Sequence, residues 1–290
     1  MRITVQTDRS EMLEEILKSN CDGIRFGSDF CEWKIPNLDS LKKAYTLVQK
    51  SGKSFAYVTP RLSNSSFKKA EEGLAFLNDR GEANIVINDL GLLDILEKYS
   101  NLKPHLGRRL VFMPGRCPWI EDTLKFRAGL FERKKLEELY YQTSLNYVPT
   151  INFFKRYGVR GVDVDWIPDS FSFFDLFTKN GLAISVHMQL IPATITRRCH
   201  TARFLSEKEP QTCSRPCNKR AFLLKQPTMK QELYLHGNAV FRLINPSSDD
   251  MKQLREKGAV ELIATVNPIT EMTSREKIDA FIDGLKKMTS

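Results

Sequence analysis

Three of the chain's six cysteines, Cys199, Cys213 and Cys217, lie within nineteen residues as a C-x13-C-x3-C array. Deprotonated thiolates are soft ligands that need a cationic partner, so this spacing points to zinc or to an iron–sulfur cluster. Either centre takes four ligands, and the array supplies three. His200, beside Cys199, would complete a Cys3His zinc site without help from elsewhere. The remote alternatives are Cys21, Cys31 and Cys117. Zinc sites usually show paired C-x2-4-C knuckles, and one close pair with two remote cysteines suits a cluster at least as well.

The array occupies the most basic stretch of a chain whose net charge is +9. Between residues 191 and 230 there are nine Lys or Arg against Glu207 and Glu209, a local excess of +7. An anion belongs near such a segment: RNA, an acidic small molecule, or the cluster itself, since a cubane on four thiolates carries a net charge of about −2. No stretch approaches the ~18 apolar residues of a membrane span, and the amino terminus reads as a strand without the apolar core of a signal peptide. A cytoplasmic protein is the expectation, and there six cysteines speak for metal or redox chemistry before disulfides.

Short apolar runs at 3–7, 23–27, 54–59, 84–88, 108–113, 161–165, 182–188 and 260–265 read as strands. Amphipathic helical patterns at 11–18, 38–50, 67–79, 92–99, 132–142 and 275–287 separate most of them. Eight such strands over 290 residues predict an α/β fold, a TIM-like (β/α)8 barrel, ahead of a doubly wound open sheet. The alternation breaks after the seventh strand. Residues 191–245 read as an insertion on a single barrel domain spanning 1–290, carrying the cysteine array and then a hairpin that turns at His236-Gly237-Asn238. A helix with Asp249 and Asp250 in its first turn follows.

Barrel topology sorts the remote cysteines, because sites lie at the carboxyl ends of the strands. Cys21 precedes its strand and falls at the wrong end. Cys31 follows the second expected strand by four residues and Cys117 follows the fifth by four, so topology leaves these two level. Other candidates at the same face are weaker. Asp163 and Asp165 share one side of the sixth strand and could do acid–base work or hold a basic partner. His187 could donate a proton or sit hydrogen-bonded in the core. Arg25, Arg198 and Arg203 could grip an anionic substrate, and Arg203 could equally brace a cluster. Trp33, Trp119 and Trp166 each follow a strand and could gather at the mouth.

The run from Arg198 to Arg203 with its downstream cysteine pair resembles the collagenase-like "peptidase U-32" family, and within it the UbiV-like branch. Asn84-Ile85-Val86-Ile87-Asn88-Asp89-Leu90-Gly91, Ile24-Arg25-Phe26-Gly27 before Cys31, and Gly107-Arg108-Arg109-Leu110 are supporting matches. The resemblance implies a [4Fe–4S] cluster on Cys31, Cys199, Cys213 and Cys217, and so favours Cys31 over Cys117. It further implies a component of an oxygen-independent hydroxylase of ubiquinone biosynthesis that pairs with a homologous subunit as a heterodimer. Sister branches hydroxylate RNA bases, and a metal-stabilised binding module without catalysis is the remaining alternative. Proteolysis finds no support: H-E-x-x-H and G-x-S-x-G are both missing from the sequence.

Overall fold

The computed structural model describes residues 1–120, 129–167, 170–205, 213–225 and 231–289. Among these the strands are β1 (Arg2–Thr7), β2 (Gly23–Gly27), β3 (Ser54–Val58), β4 (Ala83–Ile87), β5 (Leu102–Leu106), β6 (Gly161–Asp165), β7 (Ala183–His187), β8 (Leu190–Ile195), β9 (Phe222–Leu224), β10 (Leu233–His236), β11 (Ala239–Leu243) and β12 (Ala259–Thr265). The helices are α1 (Leu13–Leu17), α2 (Leu38–Lys50), α3 (Asn64–Asn78), α4 (Leu92–Leu96), α5 (Leu130–Tyr140), α6 (Val148–Arg156), α7 (Phe174–Lys179), α8 (His200–Phe204), α9 (Ser248–Glu256) and α10 (Arg275–Thr289). Eight parallel strands close a barrel in the order β1-β12-β7-β6-β5-β4-β3-β2, the (β/α)8 arrangement that the alternation predicts. Between β7 and β12, the strands β8-β11-β10-β9 form a separate antiparallel sheet. Lys208 and Lys230, with Glu207 and Glu209, lie outside the described residues.

Period-two patterning builds the barrel wall. Ile3 and Val5, Ile24 and Phe26, Ile85 and Ile87, Val162 and Val164 are buried in one apolar core under the helices. The residues between them turn inward, as strand geometry requires. Local chemistry sets the helix starts. Asn37 Oδ1 accepts from the Ser40 amide at 2.8 Å ahead of α2, and Ser247 with Asp250 forms a capping box ahead of α9. The hairpin turns at Gly237-Asn238 with His236 opposite Ala239 and Gly237 at φ +64°, a two-residue connection that glycine makes cheap.

One strand departs from the sequence reading. The fifth is Leu102–Leu106, and 108–113 is instead the loop leaving it. Pro104 argues against a strand there, since it cannot donate to a ladder. The fold tolerates it because β5 pairs with β6 only at His105 and Leu106, while Pro104 still accepts from the Arg160 amide at 2.9 Å.

The barrel interior carries charge. Arg25 on β2 reaches across the lumen, donating from Nη1 to Asp163 on β6 at 2.6 Å and from Nη2 to Glu261 on β12. Ser185 on β7 donates to Glu261 at 2.6 Å, and His187 Nε2 stands 3.4 Å from Asp163. Nearer the mouth, Arg108 bridges Asp165 at 2.8 Å and Asp29 at 3.2 Å, and Arg116 Nε donates to Asp165 at 2.5 Å. Interior layers of such barrels are more often branched apolar residues.

Candidate functional site

Cys31 leaves the barrel through a turn that its own sequence dictates. Gly27, at the end of β2, has φ +131°, and a Cβ there would stand 2.0 Å from the Val58 carbonyl oxygen. Only glycine lets the chain swing away at that point. Ser28 Oγ then accepts from the Cys31 amide at 3.3 Å, and residues Glu32–Lys34 make a single 3₁₀ turn.

The other three thiols come from the segment between β8 and β9. Cys199 caps α8, its Sγ accepting from the Ala202 amide at 3.3 Å. Cys213 Sγ accepts from the Arg215 amide at 3.4 Å. Arg215 adopts φ +56°, and Pro216 then opens a 3₁₀ turn that buries Cys217. Side-chain ties join this segment to Cys31. Arg215 Nη2 donates to the Trp33 carbonyl at 3.1 Å. Asn238 Nδ2, in the hairpin turn, donates to the carbonyls of Phe30 at 2.8 Å and Thr196 at 2.9 Å. His236 Nε2 donates to the Cys217 carbonyl at 2.7 Å.

Cys31, Cys199, Cys213 and Cys217 all line one cavity of about 420 Å³. Cys117 is not among its lining residues, and it follows β5 by eleven residues rather than four. Cys21 is buried at the other end of the barrel, its Sγ 3.5 Å from the Ile16 carbonyl. All six are free thiols. His200 is exposed and outside the cavity.

The walls are strongly basic. Lys34, Arg61, Arg109, Arg197, Arg198, Arg203 and Arg215 line the cavity, against Glu32 alone. Glu32 is committed to Ser63 Oγ and Ser66 Oγ at 2.5 and 2.6 Å. Burial pushes its carboxyl up, but these hydroxyl donors outweigh that and leave it below the usual range. Burial pushes the Cys31 thiol up to about 12, against the opposing pull of Lys34. It raises Cys199 and Cys217 as well. Buried thiols of this kind are not nucleophiles at neutral pH; they ionise when a cationic group arrives to take them as ligands.

Among the described residues, no group of three or more His, Cys, Asp or Glu is placed to hold a single metal ion. Four thiols around a cavity of this size, with amide N–H groups aimed at two of the sulfurs, fit the donor set of a cubane.

The remaining sequence candidates divide between this cavity and the barrel interior or surface. Asp163 and Asp165 are fully buried partners of arginines. Burial outweighs the Arg25 guanidinium and raises Asp163, whereas Arg116 and Arg108 overcome burial and lower Asp165. Burial, with Arg108 nearby, holds His187 down at about 3, so it is neutral at physiological pH. Arg25, 2% exposed, is spent on Asp163 and Glu261 and presents nothing to a substrate at the cavity. Arg198 and Arg203 do line the cavity and are exposed. The tryptophans do not gather: Trp33 lines the cavity, Trp166 is core, and Trp119 is 52% exposed.

Sequence reasoning misses the residues that brace the site from below. Asp29 accepts from Gln6 Nε2 at 2.8 Å and from Asn88 Nδ2 and Arg108 Nε at 3.2 Å. The Arg108 guanidinium lies 4.7 Å from the ring centre of Phe30, a cavity wall. The signal is present in Gly107-Arg108-Arg109, but reading that run as strand hides it.

No family model and no curated protein matches the chain. Among solved structures it is similar to a U32 peptidase at 14% identity, covering 92% of this chain and 93% of that one with a TM-score of 0.46. It is similar to the thiamine phosphate pyrophosphorylase from Pyrococcus furiosus at 9% identity, over 100% and 97% of the two chains, also with a TM-score of 0.46. The 3-keto-D-glucoside 4-epimerase YcjR from E. coli aligns at 8% identity over 99% of each chain, with a TM-score of 0.37.

Proposed function

We propose that the chain holds a [4Fe–4S] cluster through Cys31, Cys199, Cys213 and Cys217, as a component of an oxygen-independent hydroxylase of the UbiV-like kind. The convergence of these four thiols on one cavity, with Cys117 left outside it, is the observation that carries the cluster reading. The hydroxylase reading, ubiquinone biosynthesis and a homologous partner subunit rest on the motif resemblance.

When bound, a cluster with every iron ligated by cysteine supplies one-electron transfer. The chain's own residues do the rest. Amides of Ala202 and Arg215 donate to sulfur and orient it. The basic walls offset the negative charge of four thiolates and attract an anionic small molecule to the same face. Asp29, Arg108 and Asp165 hold the floor rigid.

Anaerobic purification with iron, sulfide and zinc assays tests this reading. About four irons and four sulfides per chain are expected, lost in Ser variants of the four ligands and kept in Cys117→Ser. Stoichiometric zinc without sulfide rejects the cluster, and a Cys31→Ser variant with full iron rejects that ligand.

A second reading, modification of RNA, draws on the exposure of Arg197, Arg198, Arg203, Arg215, Lys219, Arg220 and Lys225. It requires RNA binding that weakens steeply with salt. No retention of RNA at low salt removes it.

A further inference from the structure

Six of the seven basic side chains on the cavity wall are exposed or half-buried, and Lys34 alone is enclosed, at 6% exposure. Its ammonium donates to Asp8 Oδ2 at 2.7 Å. Lys34 also lines a second, smaller cavity of about 60 Å³ at the barrel mouth, and Cys31 and Cys217 line both. It therefore lies with these two cysteines between the two cavities, whereas the six arginines line the larger, outer one alone.

Position decides what each charge can do. An exposed guanidinium is screened by water and by ions within a Debye length of about 8–10 Å. A buried ammonium is screened far less. Lys34 opposes the burial of Cys31 and Cys217 electrostatically, and the Asp8 carboxylate acts on Cys217 in the other sense.

We infer that Lys34, anchored by Asp8, is the fixed charge that sets the reduction potential of the cluster held by these cysteines. This rests on the cluster reading above. One electron added to that group makes the cavity more negative by one unit, a change that the ammonium favours and the Asp8 carboxylate opposes. Lys34 is thus a positioning residue, acting through charge rather than by touching a substrate.

The test is an anaerobic redox titration of the purified chain, followed by EPR, for wild type, Lys34→Met and Asp8→Asn, each with iron and sulfide measured. Lys34→Met is expected to lower the potential, reducing the reduced-to-oxidised ratio at a fixed potential about tenfold or more. Asp8→Asn keeps the hydrogen bond without the charge and is expected to raise it. Both shifts should survive 0.5 M salt, in contrast to the shift from Arg198→Gln. Opposite signs are what loosened packing would not produce.

Loaded variants that shift in the same direction, or not at all, overturn the inference while leaving the cluster reading intact. If Lys34→Met loses its iron, Lys34→Arg should retain it, and equal loss in both overturns the role of charge. A wild-type chain without iron and sulfide removes the cluster reading and this inference with it.

Discussion

Arg25→Met would expose how much the fold depends on the charged barrel interior. Burial pushes the Glu261 carboxyl up, but Arg25, helped by Ser185 and Thr4, outweighs it and holds the group at about 2 against a usual 4.5. At about 1.4 kcal/mol per pKa unit, that depression is worth about 3 kcal/mol of stability at neutral pH. Removing one partner of a buried ion pair costs roughly 3–5 kcal/mol by the general rule, and here two carboxylates are stranded rather than one. The expected loss at pH 7 is therefore about 3–5 kcal/mol, a large share of the roughly 5–15 kcal/mol that a domain has.

The pH dependence sharpens this. Glu261 is depressed in the folded chain, so its contribution is present above about 4.5 and lost as pH falls toward 2. Without the guanidinium, Asp163 and Glu261 take up protons at higher pH in the folded state, and the gap between variant and wild type narrows on acidification. Urea unfolding at pH 7 and pH 4.5, followed by the fluorescence of buried Trp166, measures both effects. A loss below about 1 kcal/mol at pH 7, or a gap that ignores pH, would refute the reasoning.

Other expectations are equally direct. Gly27→Ala puts a Cβ against the Val58 carbonyl at φ +131° and should cost about 3 kcal/mol or more; an unchanged melting temperature would count against the turn described for Cys31. Burial holds His236 at about 4 and His187 at about 3. The unfolded chain therefore binds more protons below about 6.5, and stability should fall by about 2 kcal/mol per histidine between pH 6.5 and pH 5. His236→Asn should remove about half of that slope in urea midpoints across this range. Ser247→Ala breaks the capping box of α9 and should cost about 1 kcal/mol by thermal unfolding, with no change in iron content.

Local chemistry makes much of this molecule legible in its sequence. Gly161-Val162-Asp163-Val164-Asp165 alternates so strictly that the strand and the shared side of the two aspartates follow from side-chain periodicity alone. Ser247 followed by Asp250 marks a helix start for the same kind of reason, since both partners of the cap lie within one turn. The fifth strand resists such reading because Pro104 and the apolar run beyond it argue locally for the wrong segment. Which neighbour a strand pairs with, and whether a missing N–H matters, is settled by the sheet.

The cysteine array shows the same division. Residue type and spacing in the sequence by themselves determined that three thiols, Cys199, Cys213 and Cys217, fall within nineteen residues in a strongly basic stretch. They left Cys31 and Cys117 level, because both follow strands toward the same face. The motif resemblance favours Cys31, and the tertiary structure separates the two physically, by turning the chain at Gly27 and tying Arg215 to Trp33 and Asn238 to Phe30, so that Cys31 lines the cavity and Cys117 does not. It also decided that Arg25 is spent on Asp163 and Glu261, and Asp165 on Arg108 and Arg116, rather than on a substrate. A residue's chemistry is carried in its own atoms, but its partners are chosen by which distant segments the closed barrel brings within hydrogen-bonding distance.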